Sequence, residues 1–256
     1  MGERCSPERD EGRFRIDFID PLFAVAIHIG FVEALLKQDW LHDRVFPQQL
    51  IDLANVAMFI AALSVLVASW VGYHESINVL AIKGNGRFVL DIVLLILYIL
   101  LLLYFEKPWY IAVWMVLIFM VYCWWDYLKT REYPQRYYGE NPGDLVNYLT
   151  RCFLGWCNGR EPTLMGGAVN LGWTIVLAIV APLAFLPATN TEVGKLVFAV
   201  GLVSANIAYR YDKKHSGAYV CAMPLKVAML LVFACDILLY SNLLAIVGLS
   251  VEQHFR

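Results

Sequence analysis

Residues 88–105 read FVLDIVLLILYILLLLYF, residues 106–108 read EKP, and residues 109–127 read WYIAVWMVLIFMVYCWWDY. Each long run carries a single charge and approaches the roughly 20 apolar residues that an α-helix needs to cross about 30 Å of hydrocarbon. The three residues between the runs leave room for a tight turn only. The stretch therefore predicts two antiparallel membrane helices joined as a hairpin.

Composition extends this prediction to the whole chain. Of its 256 residues, 60% are apolar and 16% are charged, and the mean hydropathy is +0.59. Soluble domains are about 45–50% apolar and about one quarter charged. The balance of 20 basic and 22 acidic residues argues against binding to nucleic acid. We expect an all-α fold, a polytopic helical bundle integral to the lipid bilayer.

Seven apolar stretches can be separated along the chain, which predicts about seven transmembrane helices arranged as four and then three. The first and sixth stretches are short, and the first is polar for its length. The predicted spans are residues 20–36, 50–73, 88–105, 109–127, 168–186, 196–209 and 227–251.

Basic residues predict the orientation of these spans. With seven crossings, fifteen Lys and Arg residues fall on the side of the N-terminus and five on the other side. Cytoplasmic loops carry the excess of positive charge in membrane proteins. The N-terminus is therefore predicted to be cytoplasmic and the C-terminus to lie on the outer or luminal side.

These spans divide the chain into five segments. Residues 1–17 form a cytoplasmic N-terminal segment, 18–127 a four-helix membrane part, 128–167 a cytoplasmic loop, 168–251 a three-helix membrane part and 252–256 a tail. Within the loop, residues 144–156 place apolar side chains at helical spacing. This pattern fits a helix lying in the membrane interface and equally a cytoplasmic cap that packs under the bundle.

Charged residues inside the predicted spans are the best indicators of function, because burying a charge in a membrane is costly. Asp236 lies near the middle of the seventh span and could form an ion or proton site. It could equally be a buried carboxyl group that is hydrogen-bonded to a neighbour. The candidate polar partners are Asn170, Asn206 and Tyr240.

Three further titratable residues lie in the first and third spans. His28 is expected near mid-depth, where a histidine can titrate near neutral pH, although a lone histidine is more often satisfied by a neighbour. Glu33 lies toward the outer face of the same span. Asp91 follows one turn into the third span and could simply reach back to the interface.

Aromatic and charged residues recur at the ends of the spans that run toward the cytoplasm. These ends contain Trp70 to Tyr73, then Trp124-Trp125-Asp126-Tyr127, then Tyr209-Arg210-Tyr211-Asp212. Repeated hairpins are common in transport folds. Ordinary interface chemistry explains the pattern as well, since aromatic and basic residues favour this depth.

The first span resembles a known signature. Phe18-Ile-Asp-Pro-Leu-Phe-Ala-Val-Ala-Ile27 is similar to Phe-Ser-Asp-Gly-Val-Phe-Ala-Ile-Ala-Ile of the transmembrane protein 175 potassium channels. The resemblance implies that the first helix lines a pore, with Val25 and Val32 as apolar constrictions and His28 between them. These three positions share one helical face.

Three classes of function fit the sequence. The first is an ion channel or small transporter for protons or monovalent cations, acting as a homo-oligomer with the first helix lining the path. The second is a membrane scaffold or sensor that binds a partner through residues 128–167. The third is a lipid-modifying enzyme at the cytoplasmic interface, with a headgroup near Asp126 or Asp212.

Motifs for catalysis are missing from the sequence. It has no nucleophile elbow, no zinc-binding His-Glu-x-x-His and no phosphate-binding glycine loop, so we predict no catalytic residues, no metal and no cofactor. The six cysteines are interpreted as free thiols.

Overall fold

The computed structural model describes residues 19–32, 48–79, 82, 84–133, 143–158 and 165–214. All of the regular structure in these ranges is helical. The helices are α1 (Ile19–Val32), α2 (Gln48–Val79), α3 (Asn85–Leu103), α4 (Pro108–Glu132), α5 (Leu145–Asn158), α6 (Met165–Val180) and α7 (Glu192–Lys214).

Five helices in the described ranges are long and apolar enough to cross a membrane. They are the stretches Leu53–Ile77, Asn85–Leu103, Pro108–Glu132, Gly166–Phe185 and Glu192–Lys214, and α1 is a shorter apolar helix. This finding supports an integral membrane helical bundle. The predicted seventh span lies outside the described residues.

The helical hairpin predicted from residues 88–127 is present. Helix α3 ends at Leu103, a turn follows, and Pro108 begins α4. Proline suits the first position of a helix because its missing N–H would have had no partner there. The two helices pack against each other along their lengths.

Helix α7 is longer than the predicted sixth span, residues 196–209. Its N-terminus is capped by the Thr191 hydroxyl, which accepts a hydrogen bond from the Gly194 N–H at 3.1 Å, and Glu192 lies in the first turn. Caps and acidic residues stabilise a helix start. The helix therefore extends beyond the apolar run into polar residues at both ends, which hydropathy alone does not mark as helical.

The ends of several helices meet at one end of the bundle. The last turns of α2, α4 and α7 lie beside the first turns of α3 and α6, as shown by ion pairs from Arg87 to Glu132 and from Lys213 to Asp126. Lys129 also donates to Ser76 there, at 2.7 Å. We call this end, which holds Arg87, Lys129 and Lys213, the basic end.

The opposite part of the bundle is packed with apolar side chains. Fully buried members of this core include Met58, Leu66, Leu101, Phe105, Ile111 and Ile118. We call this part the apolar half. Helix α1 packs on the bundle core through Ile19, Phe23 and Ala26, and its first turns lie near the basic end, where Asp20 pairs with His74 at 2.8 Å.

Helix α5 lies against α4 and α6 at the basic end. Tyr148 and Cys152 are buried and pack with Tyr127 and Ala168. The other face of α5 leaves Val146, Phe153 and Leu154 exposed. The helix predicted within residues 144–156 is thus present, with one side docked on the bundle and an apolar strip on the other.

Candidate functional site

A cavity of about 80 Å³ opens between α2, α3, α4, α6 and α7 near the basic end. This volume has room for several water molecules. Its walls carry two carboxylates, two basic side chains and several hydroxyl groups. We call it the polar cavity.

Asp91 on α3 is the most deeply buried charge in the cavity wall, with only 3% of its surface exposed. Its Oδ1 accepts a hydrogen bond from Trp125 Nε1 at 2.9 Å. Its Oδ2 is buried beside the hydroxyl of Tyr73, and neither of these two oxygens makes a hydrogen bond of normal distance and angle among the described residues. Buried polar atoms are normally satisfied, so these two oxygens indicate a place for a ligand, a water molecule or a proton.

The ring of Trp125 fixes Asp91 in place. The guanidinium of Arg87 lies 4.2 Å from the centroid of this ring, within the range of a cation–π interaction. Arg87 Nη1 in turn donates to Glu132 Oε2 at 2.8 Å, and Glu132 Oε1 accepts from the Gly84 N–H at 2.9 Å. The start of α3 and the end of α4 are therefore joined directly behind Asp91.

Asp126 forms a second polar group in the wall, and one of its carboxylate oxygens is paired with a cation. Its Oδ2 accepts from Lys213 Nζ at 2.7 Å and from Asn170 Nδ2 at 2.6 Å. Asn170 Oδ1 accepts from Lys213 Nζ at 3.0 Å and from the Tyr209 hydroxyl at 2.9 Å. This network joins α4, α6 and α7, and we assign it a structural role.

Hydroxyl groups form the deep end of the cavity. The hydroxyls of Tyr98 and Tyr122 are hydrogen-bonded to each other, and Tyr122 donates to Ser69 Oγ at 2.5 Å. Ser69 lies ten residues before the end of α2, which places it about 15 Å from the basic end at 1.5 Å per residue. Beyond this group the buried core cluster is apolar, apart from the hydrogen bond of Asn206 to the Ser64 carbonyl, so the cavity stops roughly halfway through the bundle.

The structure brings only some of the residues predicted from the sequence to this site. Asp91 and Asn170 line the polar cavity. Asn206 instead donates to the Ser64 carbonyl at 3.0 Å. Asp236, Tyr240 and Glu33 lie outside the described residues.

The face of α1 that carries Val25, His28 and Val32 points away from the bundle. Val25 is 49% exposed and Val32 38% exposed, and His28 is exposed as well. In a single chain these side chains line no cavity among the described residues.

Sequence reasoning missed Arg210, Lys213 and Tyr73 as cavity residues, and it used Asp126 only for the headgroup hypothesis. The signal was present, because Tyr73, Trp125, Asp126, Tyr209 and Arg210 belong to the recurring aromatic and charged span ends. The sequence could not distinguish residues that face a headgroup from residues that converge on a cavity.

Comparison with known proteins found no relative of this chain. No protein-family model matches this chain, and neither a curated protein nor a solved structure is detectably similar to it.

Proposed function

We propose that this protein is a small transporter, or a gated channel, for protons or monovalent cations, and that Asp91 is its binding group. One observation carries the proposal: the buried carboxylate of Asp91, with only the Tyr73 hydroxyl beside its Oδ2 among the described residues, lines a cavity that has room for several water molecules. A charge at this depth usually marks an ion or proton pathway.

The surroundings of Asp91 suit a small cation. Carboxylates and hydroxyls supply hard oxygen ligands, and the hydroxyls of Tyr73, Tyr98 and Tyr122 line the same cavity. Acidic side chains favour cations over anions in ion pathways. A proton bound at Asp91 would also satisfy the carboxyl group without any further ligand.

The apolar half favours a transporter or a closed channel over an open pore. A polar path reaches the Tyr98–Tyr122 pair from the basic end, and fully buried apolar side chains lie beyond it. Alternating access requires such a one-sided opening, with a conformational change that exposes the site to the other side.

The proposed topology has seven membrane crossings with the N-terminus in the cytoplasm. Under it, the basic end faces the cytoplasm, because fifteen of the twenty basic residues fall on that side. The excess of Lys and Arg in cytoplasmic loops supports this orientation. The polar cavity would then open toward the cytoplasm.

Flux in proteoliposomes under imposed potassium and proton gradients tests the proposal. We expect selective flux from the wild-type protein and at least a tenfold reduction in Asp91→Asn. The matched control is Asp144→Asn, because Asp144 is an exposed residue outside the long apolar helices. Undiminished flux through folded Asp91→Asn protein would refute the role of Asp91.

The same assay distinguishes a path along α1. If flux passes between copies of the chain along Val25, His28 and Val32, then His28→Ala should change flux while Asp91→Asn leaves it intact. Flux that falls only in Asp91→Asn would instead support the polar cavity. Absence of flux in all folded variants would contradict transport altogether.

A further inference from the structure

Arg210 on α7 is the one basic side chain of the polar cavity that the proposed function leaves unexplained. Its guanidinium lies directly against the backbone of α2 at Gly72, where an added Cβ atom would overlap it. The guanidinium can occupy this position only because residue 72 lacks a side chain. The arginine is therefore seated within the bundle and lines the cavity.

This guanidinium has no hydrogen bond or ion pair with any other described residue. Asp126 accepts from Lys213 and Asn170, and Asp212 accepts from Trp173 Nε1 at 3.1 Å. The Tyr209 ring is 5.9 Å away, near the limit for a cation–π interaction. A seated arginine normally pairs with a carboxylate or phosphate, so a partner from outside the described chain is expected.

We propose that Arg210 binds a small oxyanion in the polar cavity, namely a phosphate or carboxylate group, either free or carried by a lipid headgroup. The planar guanidinium presents parallel N–H donors that match the spacing of two oxygens on such groups. The cavity volume of about 80 Å³ limits the bound part to a few heavy atoms. This inference deepens the proposed function, on which it rests, by giving the proton or cation at Asp91 a co-substrate.

The charge on Asp91 should affect the affinity of the oxyanion site at Arg210. An ionised Asp91 and an oxyanion would repel each other within one low-dielectric cavity, so the oxyanion should bind better when Asp91 is protonated.

Other charges facing Asp91 are already paired: Arg87 with Glu132 and Asp126 with Lys213. Near the cavity mouth, Lys129 donates to Ser76, and Asn170 of α6 is neutral. The tyrosines of α2, α3, α4 and α7 and the remaining lining residues carry no formal charge. The protonation of Asp91 is therefore the step that should govern affinity.

Ligand-induced thermal stabilisation of the full chain in maltoside micelles tests the oxyanion site without requiring transport. The probes are inorganic phosphate and acetate, each titrated into wild-type protein, Arg210→Gln and Arg210→Lys. We expect a saturable rise in Tm for the wild type and at least tenfold weaker affinity for Arg210→Gln. Arg210→Lys should have an intermediate affinity, because lysine keeps the positive charge but lacks the parallel N–H donors of the guanidinium.

A second pair of variants keeps the test informative if Arg210→Gln fails to fold. Gly72→Ala displaces the flexible guanidinium while retaining its charge, and should weaken binding as much as removing it. Gly166→Ala is the control, since its Cβ would lie in ordinary contact, 3.6 Å from Lys213 Nζ. Equal stabilisation of all these variants by both probes would overturn the proposal.

Two further experiments identify the source of the oxyanion and test the coupling between its binding and the protonation of Asp91. Stabilisation by micelles doped with phosphatidic acid, but by neither free probe, would assign the site to a lipid headgroup, provided that Arg210→Gln abolishes it. Affinity should rise as pH falls in the wild type and lose this dependence in Asp91→Asn. The same pH dependence in both proteins would refute the coupling. Binding without any flux would refute the transport function and leave the oxyanion site standing.

Discussion

At the scale of the residue, Asp126 shows how a buried charge can be structural. Its carboxylate accepts from Lys213 and Asn170 and is only 11% exposed. Asp91 accepts from Trp125 through one oxygen, and its other oxygen is buried beside the Tyr73 hydroxyl. Two aspartates that line one cavity thus differ in that Asp126 is paired directly with Lys213, whereas Asp91 has no ion pair among the described residues.

The Asp126→Asn variant should lose about 2 kcal/mol of stability, because a charged hydrogen-bonded group is worth about 1.5–3 kcal/mol. Thermal or denaturant unfolding in detergent measures this loss. The double variant Asp126→Asn/Lys213→Met should recover part of it, since no unpaired charge remains. Additive losses in the double variant would show that Lys213 does not depend on Asp126.

The sequence singled out Asp91 as a candidate residue but did not predict that Arg210 and Tyr73 line the same cavity. A carboxylate in an otherwise apolar run stands out without any knowledge of the fold, whereas Arg210 and Tyr73 lie at span ends where such residues are common. Only the packing of α2 against α7 at Gly72 brings Arg210 into the cavity. That contact joins parts of the chain that are distant in sequence, so no local sequence pattern predicts it.

At the scale of the element, α5 has one face buried against the bundle and one exposed apolar face. Tyr148 and Cys152 are buried against the bundle, while Val146, Phe153 and Leu154 are exposed. Apolar periodicity predicted a helix, which is present, but left open whether it is an interfacial helix or a cap. Periodicity could not separate them because apolar residues on α5 occupy both sides.

Burial raises the pKa of the Cys152 thiol to about 12, and this determines its reactivity. Since the thiolate is the reacting form, maleimide labelling at pH 7 should be roughly a thousandfold slower than for an exposed cysteine with a pKa near 8.5. The rate should climb about tenfold per pH unit toward pH 12. A variant retaining only Cys152 allows this measurement, and fast labelling at pH 7 would contradict the burial of α5.

Gly167→Ala should loosen the docking of α5. A Cβ at residue 167 would overlap the Tyr148 hydroxyl and approach Cys152 Sγ to 3.0 Å, so α5 must shift outward. Cys152 labelling should become faster than in the parent protein. Gly166→Ala, one residue earlier, has ordinary contacts only and should label at the parent rate.

At the scale of the whole molecule, the bundle has a polar half at the basic end and an apolar half. Cysteines introduced along α2 can map this boundary. Ser69→Cys lies in the cavity wall and should react with a small water-soluble thiol reagent added from the basic end. Ala62→Cys lies in the fully buried core and should react from neither side.

The expected pattern also tests the proposed orientation. Reaction of Ser69→Cys only from the cytoplasmic side would agree with a cytoplasmic basic end. Reaction of Ala62→Cys from the opposite side would reveal a water path through the apolar half and argue for an open pore. The parent for both variants is a chain without reactive native cysteines.

Hydropathy predicted the long helices because each must be apolar to cross a membrane. The hairpin of α3 and α4 followed from a linker of only three residues. What hydropathy could not predict is the arrangement of the helices around a cavity, which depends on contacts such as Arg87 with Glu132 between side chains 45 positions apart.

The boundary between the two halves has an electrical consequence. In a membrane, a water-filled cavity reaching Ser69 and Tyr98 would carry the potential of the solution at the basic end deep into the protein. The voltage would then fall mainly across the remaining apolar packing, about half of the usual 30 Å. A charge leaving Asp91 toward the far side would cross nearly the whole field, worth about 2.3 kcal/mol per 100 mV, within half the distance.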